Sequence, residues 1–356
     1  MATVLSLPEQ QANPIASVPL TVARAVPSAQ LDWAMTAVTT WFVGGVFLDG
    51  WAHNNIPDLE TFFTPWHAVL YSGYAATALL VLLTFLWGLR KGFGWRHALP
   101  AGYGLAVAGS AIFFLGGMAD MLWHITFGIE ANVDALLSPT HLVLALGGLM
   151  MQAAPFRAWW QRHDSEVKPR LIHQLPAFLS LAYVWSVLAF FTQYVHPFTN
   201  AWASGTKRSP ADPFFGQALG AVSIIVQTAL LAGVVLLAAR RRPLPPGALT
   251  LLFTVNGLLV NAMHGQPKFL AAAIVAGLCT DALYAWLRPS MAKPGRIHLF
   301  AFLLPLPLYG LYFAVLAPGG IVWSIHLWAG SIAIAGVTAW LLSYVAVPPD
   351  VPAEAS

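Results

Sequence analysis

The sequence predicts an all-α polytopic membrane protein with about ten transmembrane helices in hairpin pairs and both termini in the cytoplasm. The first observation is composition: 58% of the 356 residues are hydrophobic, 9% are charged, and the mean hydropathy is +0.68. Soluble domains carry about 25% charged residues, so this composition excludes a water-soluble enzyme. The second observation is a succession of apolar stretches, each close in length to the roughly 20 residues that a membrane-spanning helix needs. The third is the confinement of basic residues to alternate connections.

Short connections that contain charged residues and proline separate the apolar stretches. The stretches span residues 33–52, 65–89, 100–123, 139–157, 172–195, 214–239, 247–263, 269–287, 298–317 and 321–346. Residues 1–30 are rich in proline and alanine, which predicts a flexible cytoplasmic tail rather than a signal peptide. Residues 348–356 form a second polar tail. Cys279 is the only cysteine, which excludes an intrachain disulfide and a thiolate metal cluster.

The lysines and arginines indicate the orientation. With the N-terminus inside, 14 of the 17 fall on the cytoplasmic side, as the positive-inside rule requires of short loops. They are Arg24, Arg90, Lys91, Arg96, Arg157, Arg162, Lys168, Arg170, Arg240, Arg241, Arg242, Arg288, Lys293 and Arg296. The pI of about 9.1 therefore reflects topology and anionic lipid headgroups, and we expect no nucleic-acid partner. We expect an integral protein of a bacterial inner (plasma) membrane.

The outer side collects most of the groups that can carry chemistry. This orientation places seven of the eleven histidines at outer helix ends, beside several acidic residues. They are His53, His67, His124, His141, His196, His264 and His326. Titratable groups at the membrane are costly unless they are paired or functional, so this face is where we expect a site, opening to the periplasm or exterior.

A duplicated motif organises this face. The first stretch ends in Asp49-x3-His53 and the third in Asp120-x3-His124, and residues four apart share one face of a helix. The next stretches begin Thr-Pro-Trp-His67 and Ser-Pro-Thr-His141, with Thr or Ser at the N-cap and proline at the first helical position. Residues 31–158 are therefore predicted to form two copies of one metal-binding hairpin. Residues 159–347 form six further transmembrane helices.

Each copy offers one carboxylate and two imidazoles. The trios are Asp49, His53, His67 and Asp120, His124, His141. Such a ligand set suits copper, zinc or iron(II) and leaves a coordination position open. The structural alternative is that aspartate and histidine only hydrogen-bond across a hairpin turn. Because two matched trios lie at one membrane depth, we favour metal, whether as two separate ions or one shared site.

The two motifs resemble the membrane copper site of the particulate methane and ammonia monooxygenases, in the subunit that carries it. That family has Asp-x3-His-x12-His with a Thr-Pro-x-His helix start; this chain has Asp49-x3-His53-x13-His67 and Asp120-x3-His124-x16-His141. The resemblance covers about residues 41–75 and 112–145. It implies a copper-binding membrane subunit, monooxygenase-like, that activates oxygen on a small apolar or amine-like substrate. The longer loops, the second motif copy and the ten spans depart from the family.

Further outer-face residues are candidates for additional ligands or for supporting hydrogen bonds. They are Glu60, Glu130, Asp134, His196, His264, Lys268 and His326. Lys268 stands where a third, decayed copy would have its second histidine, and it can pair with Asp49 or Asp120. A histidine in the position of His196, His264 or His326 is, taken alone, more often an interfacial hydrogen-bonding residue than a ligand. Catalytic residues are not identified by the sequence.

Three other functions stay open beside the copper enzyme. A zinc lipid hydrolase would use an aspartate or Glu130 as base. A metal or proton transporter would need more polar residues at the bilayer midplane than Asp281 and a few asparagines such as Asn256. A scaffold subunit, with other membrane subunits or a second copy as partner, would need only the hydrogen bonds.

Overall fold

The computed structural model describes residues 28–56, 63–130, 132–162, 170–205 and 213–347. Within these residues the chain is helical, and the only β-type pairs are two isolated bridges. The longer helices are α1 (Ala29–Asn55), α2 (Pro65–Arg90), α3 (Gly104–Phe127), α5 (Pro139–Gln152), α7 (Leu171–Phe191), α9 (Pro213–Arg241), α10 (Ala248–His264), α11 (Pro267–Leu287), α12 (Pro294–Leu303), α13 (Leu306–Leu316) and α14 (Ile325–Ala346). The short ones are α4 (Asn132–Leu137), α6 (Ala154–Gln161), α8 (Pro197–Asn200) and two 3-10 turns, Gln193–Val195 and Ala317–Gly319.

This is an all-α membrane protein. Among the described residues, eight helical segments are long and apolar enough to cross a bilayer, with α12 and α13 counted together over Pro294–Gly319. The number is nine if the bent pair α5 and α6 is one span. The seventh predicted stretch is α10, whose 17 residues fall below that length. The count of ten spans and the cytoplasmic termini stay predictions.

Helix boundaries differ from the predicted stretches where a cap or a proline intervenes. α1 begins at Ala29, inside the predicted tail, because the Ser28 side chain accepts a hydrogen bond from the Leu31 amide. The fourth stretch is bent by 41° between α5 and α6, where Pro155 lacks the amide that would continue the ladder. The ninth is interrupted in the same way before α13, at Pro305.

Equivalent residues of the two hairpins make equivalent close contacts. A Cβ on Gly73 of α2 would lie 2.6 Å from the Cα of Phe42 on α1. A Cβ on Gly147 of α5 would lie 2.6 Å from the amide nitrogen of Phe113 on α3. Glycine therefore lets both helix pairs approach closely at the same place, and this fixes the register between their ends.

The hairpins pack against a core built around α7. This helix contacts α1, α5, α6, α9 and α10, and most of its residues are buried. At the helix ends opposite the Asp-His motifs, the buried Asp32 carboxylate accepts a 2.6 Å hydrogen bond from the Tyr103 hydroxyl and pairs with Arg162. This cluster joins α1 to the start of α3 and the end of α6.

Asp281 has a structural role. It lies on α11, and its Oδ2 accepts hydrogen bonds from the amide and the hydroxyl of Thr250, at 2.8 and 2.5 Å. The N-cap residue of α10, Gly247, has no side chain to do this. Asp281 therefore caps α10 from the neighbouring helix.

Candidate metal centre

The first trio forms where α1 ends and α2 begins. Nε2 of His53 lies 3.8 Å from the Asp49 carboxylate, and Nε2 of His67 lies 3.4 Å from it. Thr64 caps α2 by accepting a hydrogen bond from the His67 amide, so the cap and the candidate ligand belong to the same helical turn. The His53 side chain is 34% exposed, which makes it the most accessible of the six trio side chains.

The second trio forms in the same way between α3 and α5. Nε2 of His124 lies 3.4 Å and Nε2 of His141 lies 3.2 Å from the two oxygens of Asp120. The Asp120 side chain is 2% exposed, and the Thr140 hydroxyl donates a 2.7 Å hydrogen bond to it. Ser138 occupies the N-cap position, but its hydroxyl contacts Thr140 at 3.0 Å instead of capping the helix. The predicted cap therefore extends the hydrogen-bond network of Asp120.

The histidines of the second trio differ in what their other ring nitrogen contacts. Nδ1 of His141 lies 2.5 Å from the Ala135 carbonyl oxygen. Such a contact fixes the ring of a metal-binding histidine and leaves Nε2 for the metal. Nδ1 of His124 lies 3.0 Å from the carboxylate of Glu130, a predicted supporting residue, but neither oxygen of that carboxylate makes a hydrogen bond within the described residues.

The donor atoms of each trio fit one ion. In each, three ligand atoms lie within 4.8 Å of one another. Metal–nitrogen and metal–oxygen bonds of about 2.0–2.2 Å set neighbouring donors about 3.0–3.5 Å apart. Three of the four carboxylate–imidazole distances, 3.4 to 3.8 Å, exceed the usual 2.7–3.2 Å of a direct hydrogen bond. The 3.2 and 3.4 Å distances match the spacing of donors on one ion, whereas the 3.8 Å from His53 to Asp49 exceeds it.

The two trios line one cavity of about 640 Å³. Apolar and aromatic side chains of α1, α2, α3, α5 and α7 form part of its lining, together with several polar residues. A cavity lined by both ligand sets can bring a small molecule to either of them.

Tyr71 lies between the trios and was not identified from the sequence. It follows His67 by one helical turn, its ring centroid is 6.2 Å from that of His67, and it lines the same cavity as Asp49 and Asp120. The hydroxyl is accommodated by Gly117 of α3, where a Cβ would lie only 3.2 Å away. The spacing Pro-x-His-x3-Tyr could have indicated it, because i and i+4 share a face.

Two more residues were missed, and only one had a sequence signal. Thr140 follows Pro139 directly in the motif, so its proximity to Asp120 could have been inferred from the helix start. Gln152 lies at the last residue of α5, is 1% exposed and lines the same cavity. No motif points to Gln152, since its place follows from the length of α5.

The other predicted candidates separate into residues inside and outside the cavity. His264 lines it, and Asp134 and His326 are exposed at the surface. Lys268 places its ammonium over the Phe269 ring at 5.2 Å; the ion pairs of Asp49 and Asp120 within the described residues are with histidines. Glu60 lies outside the described residues.

His196 is buried and caps a short helix. Its Nδ1 accepts a 3.2 Å hydrogen bond from the Phe198 amide at the start of α8. Burial, with a smaller contribution from nearby His264, lowers the pKa of His196 to about 3. A neutral capping role therefore accounts for His196, which lies behind His264 rather than on the cavity wall.

No family model, curated protein or solved structure matches this chain. The likeness to the copper-site subunit of the particulate monooxygenases therefore rests on the two motifs alone.

Proposed function

We propose that this chain is an integral membrane metalloprotein that holds one ion in each Asp-His-His trio, and that the two ions serve one reaction chamber. The observation that carries the proposal is that both trios face the same apolar cavity of about 640 Å³. A pair of purely structural hairpin turns would need neither a shared chamber nor side chains that orient the histidines.

Copper is the metal that we propose, and oxygen activation is the chemistry. Two imidazoles and a carboxylate suit copper, and the resemblance to the monooxygenase subunit supports the same choice. Copper, when bound, supplies one-electron redox chemistry toward dioxygen. The chain itself orients His141 through the Ala135 carbonyl oxygen and places the Glu130 carboxylate 3.0 Å from Nδ1 of His124. A small apolar substrate would reach this chamber from the bilayer, in which it dissolves.

One arrangement favours a second candidate, a zinc-dependent hydrolase of membrane lipids. Glu130 lines the cavity and could act as a general base. Its carboxylate already lies 3.0 Å from Nδ1 of His124, however, which suits an orienting role better than proton transfer to a substrate. The metal that binds distinguishes the two candidates.

The test is metal content of detergent-purified protein by plasma mass spectrometry. Wild type is compared with His53→Ala, His124→Ala and the control His326→Ala, which removes an exposed histidine outside the cavity. We expect two equivalents of copper in wild type and in the control, and one equivalent in each trio variant. Copper that is present in wild type and in the control, and reduced in the trio variants, would then justify assays with alkanes and amines.

Other results would contradict parts of the proposal. Zinc in place of copper would favour the lipid hydrolase. No metal in a wild-type protein that is folded by circular dichroism would leave a scaffold or carrier. Loss of both equivalents in each single variant would show one shared ion site rather than one ion per trio.

A further inference from the structure

A second, much smaller cavity lies inside the helix bundle. Its volume is about 20 Å³, and its described lining residues differ from those of the metal cavity, which the trios line. They come from α7, α8, α9, α10, α11 and α13 and from His196, which precedes α8. Within this otherwise apolar core, the lining includes the polar side chains of Trp185, His196, Gln227, Asn256 and Tyr309.

Two of these side chains each bury a polar atom that has no hydrogen-bond partner within the described residues. One atom is the indole nitrogen Nε1 of Trp185, and the other is the amide oxygen Oε1 of Gln227. The two residues are only 4% and 5% exposed. A polar atom buried in this way among membrane-spanning helices is costly unless something else pairs with it.

The orientation of the Gln227 amide follows from its other contacts. Its Nε2 donates hydrogen bonds to the Thr192 hydroxyl at 2.9 Å and to the Val195 carbonyl oxygen at 3.2 Å. A carbonyl oxygen only accepts, so the amide cannot be turned over without losing that bond. Oε1 therefore needs a donor from another direction, while the indole of Trp185 needs an acceptor.

We propose that the small cavity binds one water molecule, which accepts a hydrogen bond from Trp185 Nε1 and donates one to Gln227 Oε1. The volume of about 20 Å³ is close to what one water needs, about 10–15 Å³. The polarity of the lining distinguishes water from an ion. The indole N–H would repel a cation and the amide oxygen would repel an anion, whereas a water satisfies both groups.

The proposed water strengthens an existing link between helices and does not depend on the proposed function. Gln227 already joins α9 to the 3-10 turn Gln193–Val195, whose first two residues line the metal cavity. The water extends this link to Trp185 on α7. A buried water typically makes about three hydrogen bonds, and His196, Asn256 and Tyr309 line the same cavity with further polar groups.

X-ray footprinting of the full chain in lipid nanodiscs tests for the water directly. A brief, intense X-ray pulse splits water into hydroxyl radicals, which oxidise the nearest side chains, so a bound water marks its neighbours even in a buried core. Phe253 lines the small cavity and is 1% exposed, whereas Phe300 is 0% exposed and lines neither cavity. We expect peptide mass spectrometry to show severalfold faster oxidation of Phe253 than of Phe300.

Gln227→Leu removes the acceptor of the proposed water and should bring the oxidation of Phe253 down to the rate of Phe300. Gln217→Leu, at an exposed position of the same helix, is the matched control and should oxidise as wild type. Ala273→Val fills the cavity from α11 and leaves every polar side chain in place. It should abolish the signal in the same way, and it serves if Gln227→Leu does not fold.

Each outcome decides for or against the water site. Equal oxidation of Phe253 and Phe300 in wild type would overturn it, without any need for a variant. Undiminished oxidation of Phe253 in a folded Gln227→Leu or Ala273→Val variant would also overturn it. Selective oxidation of Phe253 that these variants abolish and Gln217→Leu retains would support it.

Discussion

The two Asp-His-His trios have the same residue types at the same helical spacing, but the protein surrounds them differently. The Asp120 side chain is buried, accepts a hydrogen bond from Thr140, and faces two histidines whose Nδ1 atoms contact Glu130 and a backbone carbonyl. Asp49 is partly exposed, and His53 opens to the surface. Thr140 corresponds to Trp66 in the first copy, which packs on Trp51 instead.

The difference indicates a division of labour within one duplicated motif. Ligands that are already oriented and desolvated lose little freedom when an ion binds, so the second trio should bind more tightly. The more open first trio should exchange its ion more readily with the surrounding solvent. The following variants test this contrast between the two trios.

Removal of the buried carboxylate should have the largest effect. Asp120→Asn keeps the shape but removes the charge that both histidines face, and we expect the affinity of the second trio to fall by at least about 100-fold. Asp49→Asn should cost the first trio less, because its site is less oriented to begin with. Metal titration of both variants measures this, and equal losses would contradict the proposed asymmetry.

Loss of the orienting carboxylate should have the next effect. Glu130→Gln should weaken metal binding at the second trio by about 10- to 100-fold and leave the first trio unchanged. Asp134→Asn, an exposed neighbour on α4, is the matched control and should bind as wild type. If both variants behave alike, Glu130 does not orient His124.

Crowding of Tyr71 should reduce stability moderately. Gly117→Ala places a Cβ 3.2 Å from the tyrosine hydroxyl, whereas Gly44→Ala has open space around it. Alanine alone favours a helix by up to about 1 kcal/mol, and overpacking costs about 1–3 kcal/mol. We therefore expect Gly117→Ala to be the less stable of the two by at least about 1 kcal/mol in thermal unfolding. Equal stability would show that Tyr71 moves away freely.

Loss of the Tyr74 hydroxyl should have the smallest effect. The Tyr74 hydroxyl donates a 2.9 Å hydrogen bond to the Ser110 carbonyl oxygen, outside the cavity lining. Tyr74→Phe keeps the ring that stacks on Phe113. It should cost about 1 kcal/mol of stability and leave the metal content unchanged. A change in metal content would mean that the Tyr74 hydroxyl also supports the trios.

Sequence reasoning predicted the trios well because their geometry is local. Asp49 and His53 lie one helical turn apart, and Pro65 fixes where the helix that carries His67 begins, so few long-range facts were needed. The breaks at Pro155 and Pro305 had a signal of the same local kind. The joining of both trios in one cavity, the place of Gln152 and the capping by Asp281 depend on how α1, α3, α5, α10 and α11 pack, which no periodicity reports.

The short helix α10 has a consequence for the surrounding lipid. Its 17 residues span about 26 Å, several ångströms less than a hydrocarbon layer of about 30 Å. Asp281 caps its first turn. Near its other end, the Asn261 side chain donates a 2.6 Å hydrogen bond to the Gly257 carbonyl oxygen. Ten spans would require α10 to cross, and this hydrophobic mismatch would thin the bilayer beside it. The lipid headgroups at that end of α10 would then lie closer to His264, which lines the metal cavity.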